Sequence, residues 1–234
     1  KHMSERVKRF EHLIDKLYPS FSSYISGKRG LDAGCWYGYS IRYARRRGAE
    51  MHGFDISKDS LEDTHDLIGK ENLLIADVQH IPYKDDVFDF MVCSHVIEHC
   101  ADDEKAIKEV KRVLKNKGIL YIAVPNGNAF EILPFKPFRF IIDKLQSCET
   151  IPCKLRLYLK LLAYHDAGHL REYSVKNICK LLKDNKFSII SKVMQGGGIP
   201  VLNIFLSQHL KAKLDRYIPQ PLKSEIHIVA KNEK

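Results

Sequence analysis

Leu31-Asp32-Ala33-Gly34-Cys35-Trp36-Tyr37-Gly38-Tyr39-Ser40 reads as a buried strand that turns directly into a helix. Arg29 to Ala33 supplies the apolar run of the strand, and Tyr39 to Arg47 the helix that follows. Gly34 and Gly38 let a ligand come up to the backbone of the turn, at the carboxyl end of the strand, where open α/β sheets bind their ligands. A dinucleotide fingerprint would need Gly at position 36, which is Trp, and no G-x-x-x-x-G-K-[ST] phosphate loop occurs. The turn is a ligand cradle of another kind.

Outward from this unit the pattern repeats. Met51 to Asp55, Leu73 to Ala76 and Val87 to Cys93 read as a second, third and fourth strand, the last a nearly continuous apolar run of the buried parallel type. Asp102 or Asp103 caps a helix with Ala106, Ile107, Val110, Val113 and Leu114 on its apolar face, stopping at Asn116-Lys117-Gly118 before a fifth strand at Ile119 to Val124. Ser174 caps a helix carrying Val175, Ile178, Cys179, Leu181 and Leu182, and Phe187 to Val193 and Glu225 to Ala230 form a closing pair of strands, joined through Gly196-Gly197-Gly198 and an amphipathic stretch from Val201 to Tyr217. Upstream, Val7, Phe10, Leu13, Ile14 and Leu17 recur with helical period in Ser4 to Tyr18, followed by a Ser/Gly linker. Parallel neighbours need crossover helices, so the alternation predicts an α/β fold built on a doubly wound, mostly parallel seven-stranded sheet.

Composition agrees. The 234 residues are 44% hydrophobic and 29% charged, enough apolar material for a large core and too much for a disordered chain. The longest apolar run, Ile119 to Val124, is far short of a membrane span. Lys1-His2-Met3 reads as a cloning remnant before an initiator Met, with no apolar leader behind it, and the expected location is the cytoplasm. The six cysteines contain no C-x-x-C pair and are expected as thiols, and Cys148 and Cys153 lack a second pair with which to hold zinc. The net charge of +9 is uneven: residues 1–127 hold 20 basic and 20 acidic side chains, residues 176–234 hold 11 and 4. A basic region can meet phosphates, but these lysines are scattered and not interleaved with aromatics.

Asp55 ends the second strand, where a carboxylate can accept from both hydroxyls of a ribose, and Asp77 ends the third, where it can receive an adenine amino group. With the Gly34 turn they point to an adenosine. These residues, together with Phe88-Asp89-Phe90, Val96-Ile97-Glu98-His99, Glu109-Val110-Lys111-Arg112-Val113-Leu114-Lys115 and Val124-Pro125-Asn126, resemble a class I S-adenosylmethionine-dependent methyltransferase over about residues 25–127. Gly168-His169-Leu170-Arg171-Glu172-Tyr173-Ser174 extends the likeness to small-molecule members of that class. The resemblance implies a Rossmann-like sheet and S-adenosyl-L-methionine as cofactor, S-adenosyl-L-homocysteine being the product. It implies Asp32, Gly34, Cys35, Trp36 and Gly38 around the methionine end, Asp55 and Ile56 at the ribose, Asp77 and Val78 at the adenine, and Ser94 and His95 near the sulfonium. Trp36 stands where the family has its third glycine, and its indole lines the pocket or packs into the core.

Methyl transfer from a sulfonium needs alignment, exclusion of water and, for some acceptors, a base. The histidines facing the strand ends, His95, His99 and His169, are the candidate catalytic bases. His95-x-x-Glu98-His99 also resembles the metal-binding stretch of ubiquinone-pathway O-methyltransferases, which leaves a divalent ion open there. Residues 128–168 break the pattern and read as a helical lid inserted after the fifth strand, its Phe130, Ile132, Leu133, Phe135, Phe138 and Phe140 with Leu155, Leu157, Tyr158, Leu161 and Leu162 closing on an apolar or aromatic small-molecule acceptor. The same residues could instead form the lid's own core or a homodimer contact. Two rivals stand beside the small-molecule enzyme: an RNA methyltransferase using the basic end, although no Asn-Pro-Pro-Tyr-like motif occurs, and a cofactor-binding protein without catalysis. Nucleic acid is not the expected partner.

Overall fold

The computed structural model describes residues 2–69, 72–128, 170–195 and 225–234. Helix α1 (His2–Leu17) and the short α2 (Phe21–Ile25) precede strand β1 (Arg29–Ala33), α3 (Tyr39–Arg45), β2 (Glu50–Asp55), α4 (Lys58–Ile68), β3 (Leu73–Ile75) and β4 (Phe88–Ser94). A single 3-10 turn (Ile97–His99) leads to α5 (Asp103–Val113) and β5 (Leu114–Pro125). After the described gap come α6 (Val175–Asp184), β6 (Phe187–Gln195) and β7 (Glu225–Asn232). The seven strands form one sheet in the order β3-β2-β1-β4-β5-β7-β6. The first five are parallel, whereas β7 runs antiparallel to both β5 and β6.

The order reverses after β1, and the carboxyl ends of β1 and β4 therefore diverge into a crevice, the place where such sheets bind ligands. Side chains alternate across the sheet: Met91 and Cys93 of β4 join the core under α5 and α6, while Phe90 and Val92 join the core under α1, α2 and α3. The apolar stripe of α1 is buried at Val7, Leu13, Ile14 and Leu17, and Phe10 packs edge-on against Tyr43 and Tyr121.

The caps follow the sequence. Asp102 accepts from Lys105 N at 2.9 Å and Ser174 from Asn177 N at 3.1 Å, each closing the first turn of its helix. Two local differences have physical causes. The expected linker after α1 contains α2, because Phe21 and Ile25, four residues apart, are both buried against the sheet. Helix α5 ends at Val113, short of the Asn116-Lys117-Gly118 stop, and Leu114 is already extended beside Phe88. Asn232, from the far end of β7, donates to the carbonyls of Lys111, Leu114 and Lys115 and takes over the end of the helix. The core of the expected lid, the amphipathic stretch from Val201 to Tyr217 and the triple glycine lie outside the described residues.

Candidate functional site

The site begins with the turn after β1. Gly34 has φ +66°, and a Cβ there would stand 2.4 Å from Val96 Cγ2, so only glycine lets this loop lie against the loop that follows β4. The loop is fixed to β2 by two bonds: Cys35 N donates to Phe54 O at 3.0 Å and Trp36 N to Asp55 Oδ2 at 3.1 Å. Gly38 closes the turn onto Cys35 O at 2.6 Å with φ +64° and starts α3.

Above the strand ends the described residues line a cleft of about 780 Å³, within the range of small-molecule pockets. Asp32, Gly34, Cys35 and Trp36 from the β1 turn, Asp55 and Ile56 from β2, Asp77 and Val78 after β3, and Ser94, His95 and His99 after β4 all face it. Asp55 and Asp77 thus converge on one hollow. Gly38 does not line it; it is buried behind the loop, where its backbone shapes the turn. The indole of Trp36 is 45% exposed at the cleft and outside the core. His169 lies outside the described residues.

The carboxylates differ in how much capacity they have left. Asp55 accepts from Ser57 N on Oδ1 at 2.9 Å and from Trp36 N on Oδ2, which leaves each oxygen a lone pair for two further donors. Asp77 is held by Gln79, from its backbone N–H at 2.8 Å and its amide Nε2 at 3.0 Å. Asp32 is buried and accepts from the Ser40 hydroxyl. Burial pushes its carboxyl up to about 7; the Ser40 bond works against that rise and the charge of Asp55 adds to it.

The β4 side is wired differently. His95 takes φ +57°, and its Nδ1 lies 3.3 Å from Oε1 of Glu98. Glu98 is fully buried, and neither carboxylate oxygen accepts a hydrogen bond. His95 and His99 both reach the cleft. Among the described residues no three His, Cys, Asp or Glu side chains are grouped as metal donors.

Beyond the expected set, Phe10 and Leu13 of α1 also line the cleft, as do Tyr39, Ser60, Gln79 and Cys100. The apolar stripe of α1 was readable, but that its Phe10 edge would wall a ligand site depends on tertiary packing alone. The flanks of the expected insertion are tied to each other, and the later one also to the loop after β4. Gly127 N donates to Tyr173 O and Leu170 N to Glu98 O, both at 2.8 Å, and Arg171 donates to Cys100 O at 2.7 Å and Ala101 O at 2.9 Å.

Residues 31–122 match the methyltransferase-domain family. The malonyl-[acyl-carrier protein] O-methyltransferase of Salmonella typhimurium is 34% identical over 90 residues, 38% of this chain and 36% of that one. A ubiquinone biosynthesis O-methyltransferase of Glaesserella parasuis is 28% identical over 131 residues, 50% and 56% of the two chains. The chain spans about half or less of the length of these curated relatives. Among solved structures, an S-adenosylmethionine-dependent methyltransferase from Archaeoglobus fulgidus superposes with a TM-score of 0.63 at 17% identity, over 98% of this chain and 94% of that one. The [4+2]-cyclase SpnF superposes with 0.61 at 18% identity, over 96% and 80%, so these likenesses carry the fold and not the reaction. Residues 31–122 thus match the methyltransferase-domain family, and the solved structures share this chain's fold.

Proposed function

We propose that this chain transfers a methyl group from S-adenosyl-L-methionine to a small, apolar or aromatic metabolite. The observation that carries the reading is the convergence of the Gly34 turn, Asp55 and Asp77 on one cleft. Asp55 has two acceptor positions left, matching the two hydroxyls of a ribose. Asp77, one strand farther out, takes the adenine amino group, with Ile56 and Val78 as apolar contacts to the base. Asp32 supplies the negative charge for the methionine ammonium, and that cation relieves the cost of its burial. The backbone at Ser94 and His95 borders the sulfonium.

The bound cofactor supplies an electrophilic methyl group on a positively charged sulfur. What remains for the protein is to hold the acceptor in line, keep water out and take up a proton where the acceptor carries one. His95 and His99, on the cleft at the end of β4, are the groups in position for the last task; His169 stays a candidate from its sequence position. The insertion, whose later flank at Leu170 and Arg171 is tied to Glu98 and Cys100 beside these histidines, selects the acceptor. Thiols at Cys35, Cys93, Cys100 and Cys179 fit a reducing compartment, and we assign the chain to the cytoplasm. No helix among the described residues is long and apolar enough to cross a membrane.

The test is calorimetric titration with S-adenosyl-L-methionine and S-adenosyl-L-homocysteine, followed by transfer of labelled methyl to a panel of small acceptors and to RNA. Binding of both ligands with label on a small molecule supports the reading. Label on RNA alone, or binding with no transfer to any class, overturns it.

A further inference from the structure

Position 36 is where the chain departs from the glycine pattern that it otherwise follows. Trp36 has φ +36°, a region that strains a bulky residue and that glycine enters freely. Its N–H is tied to Asp55 Oδ2, and its ring lies 4.6 Å from that of Tyr37, itself 5.8 Å from Tyr39. Despite this aromatic support, nearly half of the indole surface stays exposed, facing the cleft. Backbone strain and exposed apolar surface both cost stability, and both are retained at one side chain over a ligand site, which points to a contact made when the cleft is filled.

Strand order indicates which contact. Across the sheet the cleft runs from Asp77 after β3, to Asp55 on β2, to Gly34 and Trp36 after β1, to Ser94 on β4. With the base at Asp77 and the ribose at Asp55, the group that reaches β1 is the sulfur attached to the ribose. We propose that the face of Trp36 contacts the cationic sulfonium, so that the chain tells the methyl donor from the demethylated product by charge. This rests on the cofactor reading given under Proposed function. A sulfonium is drawn to the negative face of an indole; the neutral thioether left after transfer is not, and the difference is worth roughly 3- to 30-fold in affinity. The ring thereby favours exchange of spent product for fresh donor.

The sequence contains a single Trp, so tryptophan emission reports on this ring alone. The experiment titrates the full chain with S-adenosyl-L-methionine and with S-adenosyl-L-homocysteine, by calorimetry and by tryptophan emission, and repeats the calorimetry on Trp36→Gly and Trp36→Phe. Glycine suits the positive φ, so that variant is expected to fold, and phenylalanine retains a π face. The proposal expects Trp36 emission to respond more strongly to the donor than to the product. It further expects Trp36→Gly to lower the donor-over-product preference about 3- to 10-fold, mainly by weakening the donor, and Trp36→Phe to keep most of the preference. Equal weakening of both ligands, an unchanged ratio, or binding by calorimetry with silent emission would overturn the proposal and leave the cofactor reading standing. Absence of binding by either ligand to the unsubstituted chain would remove both.

Discussion

The carboxyl ends of β2 and β3 and the carboxyl end of β4 face the same cleft but are finished in opposite ways. At β2 and β3 each aspartate is locked by donors from its own neighbourhood: Asp55 by Ser57 N and Trp36 N, Asp77 by the backbone and amide of Gln79. At β4 a histidine sits at positive φ, a buried glutamate accepts no hydrogen bond, and a second histidine is exposed. The first pair is preorganised to hold a ligand without moving; at the second, His95 Nδ1 lies 3.3 Å from Glu98 Oε1, and both histidines border the cleft. Under the proposed function, binding and reaction divide along one sheet edge, and mutation should separate them.

The largest effect is expected on the reactive side. Replacing His95 and His99 together by Asn should lower turnover on a proton-bearing acceptor by roughly 10³- to 10⁴-fold, while the affinity for S-adenosyl-L-homocysteine measured by calorimetry hardly changes. A parallel fall in that affinity would show that the β4 end belongs to the holding half after all.

Asp32 comes next, through stability. Its folded-state carboxyl titrates near 7, above the ordinary aspartate range, because burial penalises the charge. The stability that the protonated carboxyl confers is therefore complete below about pH 4 and is lost as the pH rises through about 7, a total on the order of 4 kcal/mol. Asp32→Asn removes the titration, so urea unfolding should find the variant more stable than the parent at pH 8, with the gain vanishing toward pH 4, and its cofactor affinity reduced. A variant destabilised at pH 8, with the loss vanishing toward pH 4, would mean that the carboxylate already has a cation in the unliganded protein.

Asp55→Ala should weaken S-adenosyl-L-homocysteine by roughly 100-fold, the loss of two hydrogen bonds to a charged acceptor, and leave the order of acceptor preference unchanged. Gly34→Ala should cost about 2 kcal/mol in urea unfolding, since Cβ enters an unfavourable φ and meets Val96. A smaller cost would indicate that the loops after β1 and β4 can part without penalty.

The side of the cleft built by β1, β2 and β3 was legible in the sequence because its parts are local. A strand, a glycine turn, an aspartate at each strand end and caps such as Asp102 and Ser174 are read from residues within a few positions of one another, and every expected cofactor contact except Gly38 lines the cleft. What escaped was made by distance. Phe10 reaches the cleft only because α1 packs over α3 and the sheet. Asn232 ends α5 from more than a hundred residues away, moving the helix boundary that Asn116-Lys117-Gly118 had suggested. The exposure of Trp36 was likewise undecidable from a list of residues, because a lone indole in a loop fits a core as well as a rim.

The most direct measurement of the central claim is a crystal structure of the chain soaked with S-adenosyl-L-homocysteine. The account predicts the ribose hydroxyls on the Asp55 carboxylate, the adenine between Ile56 and Asp77, and the sulfur above the β1 turn beside Trp36. A nucleoside lying anywhere else on the molecule, or lying in this cleft with its ribose turned away from Asp55, would contradict it.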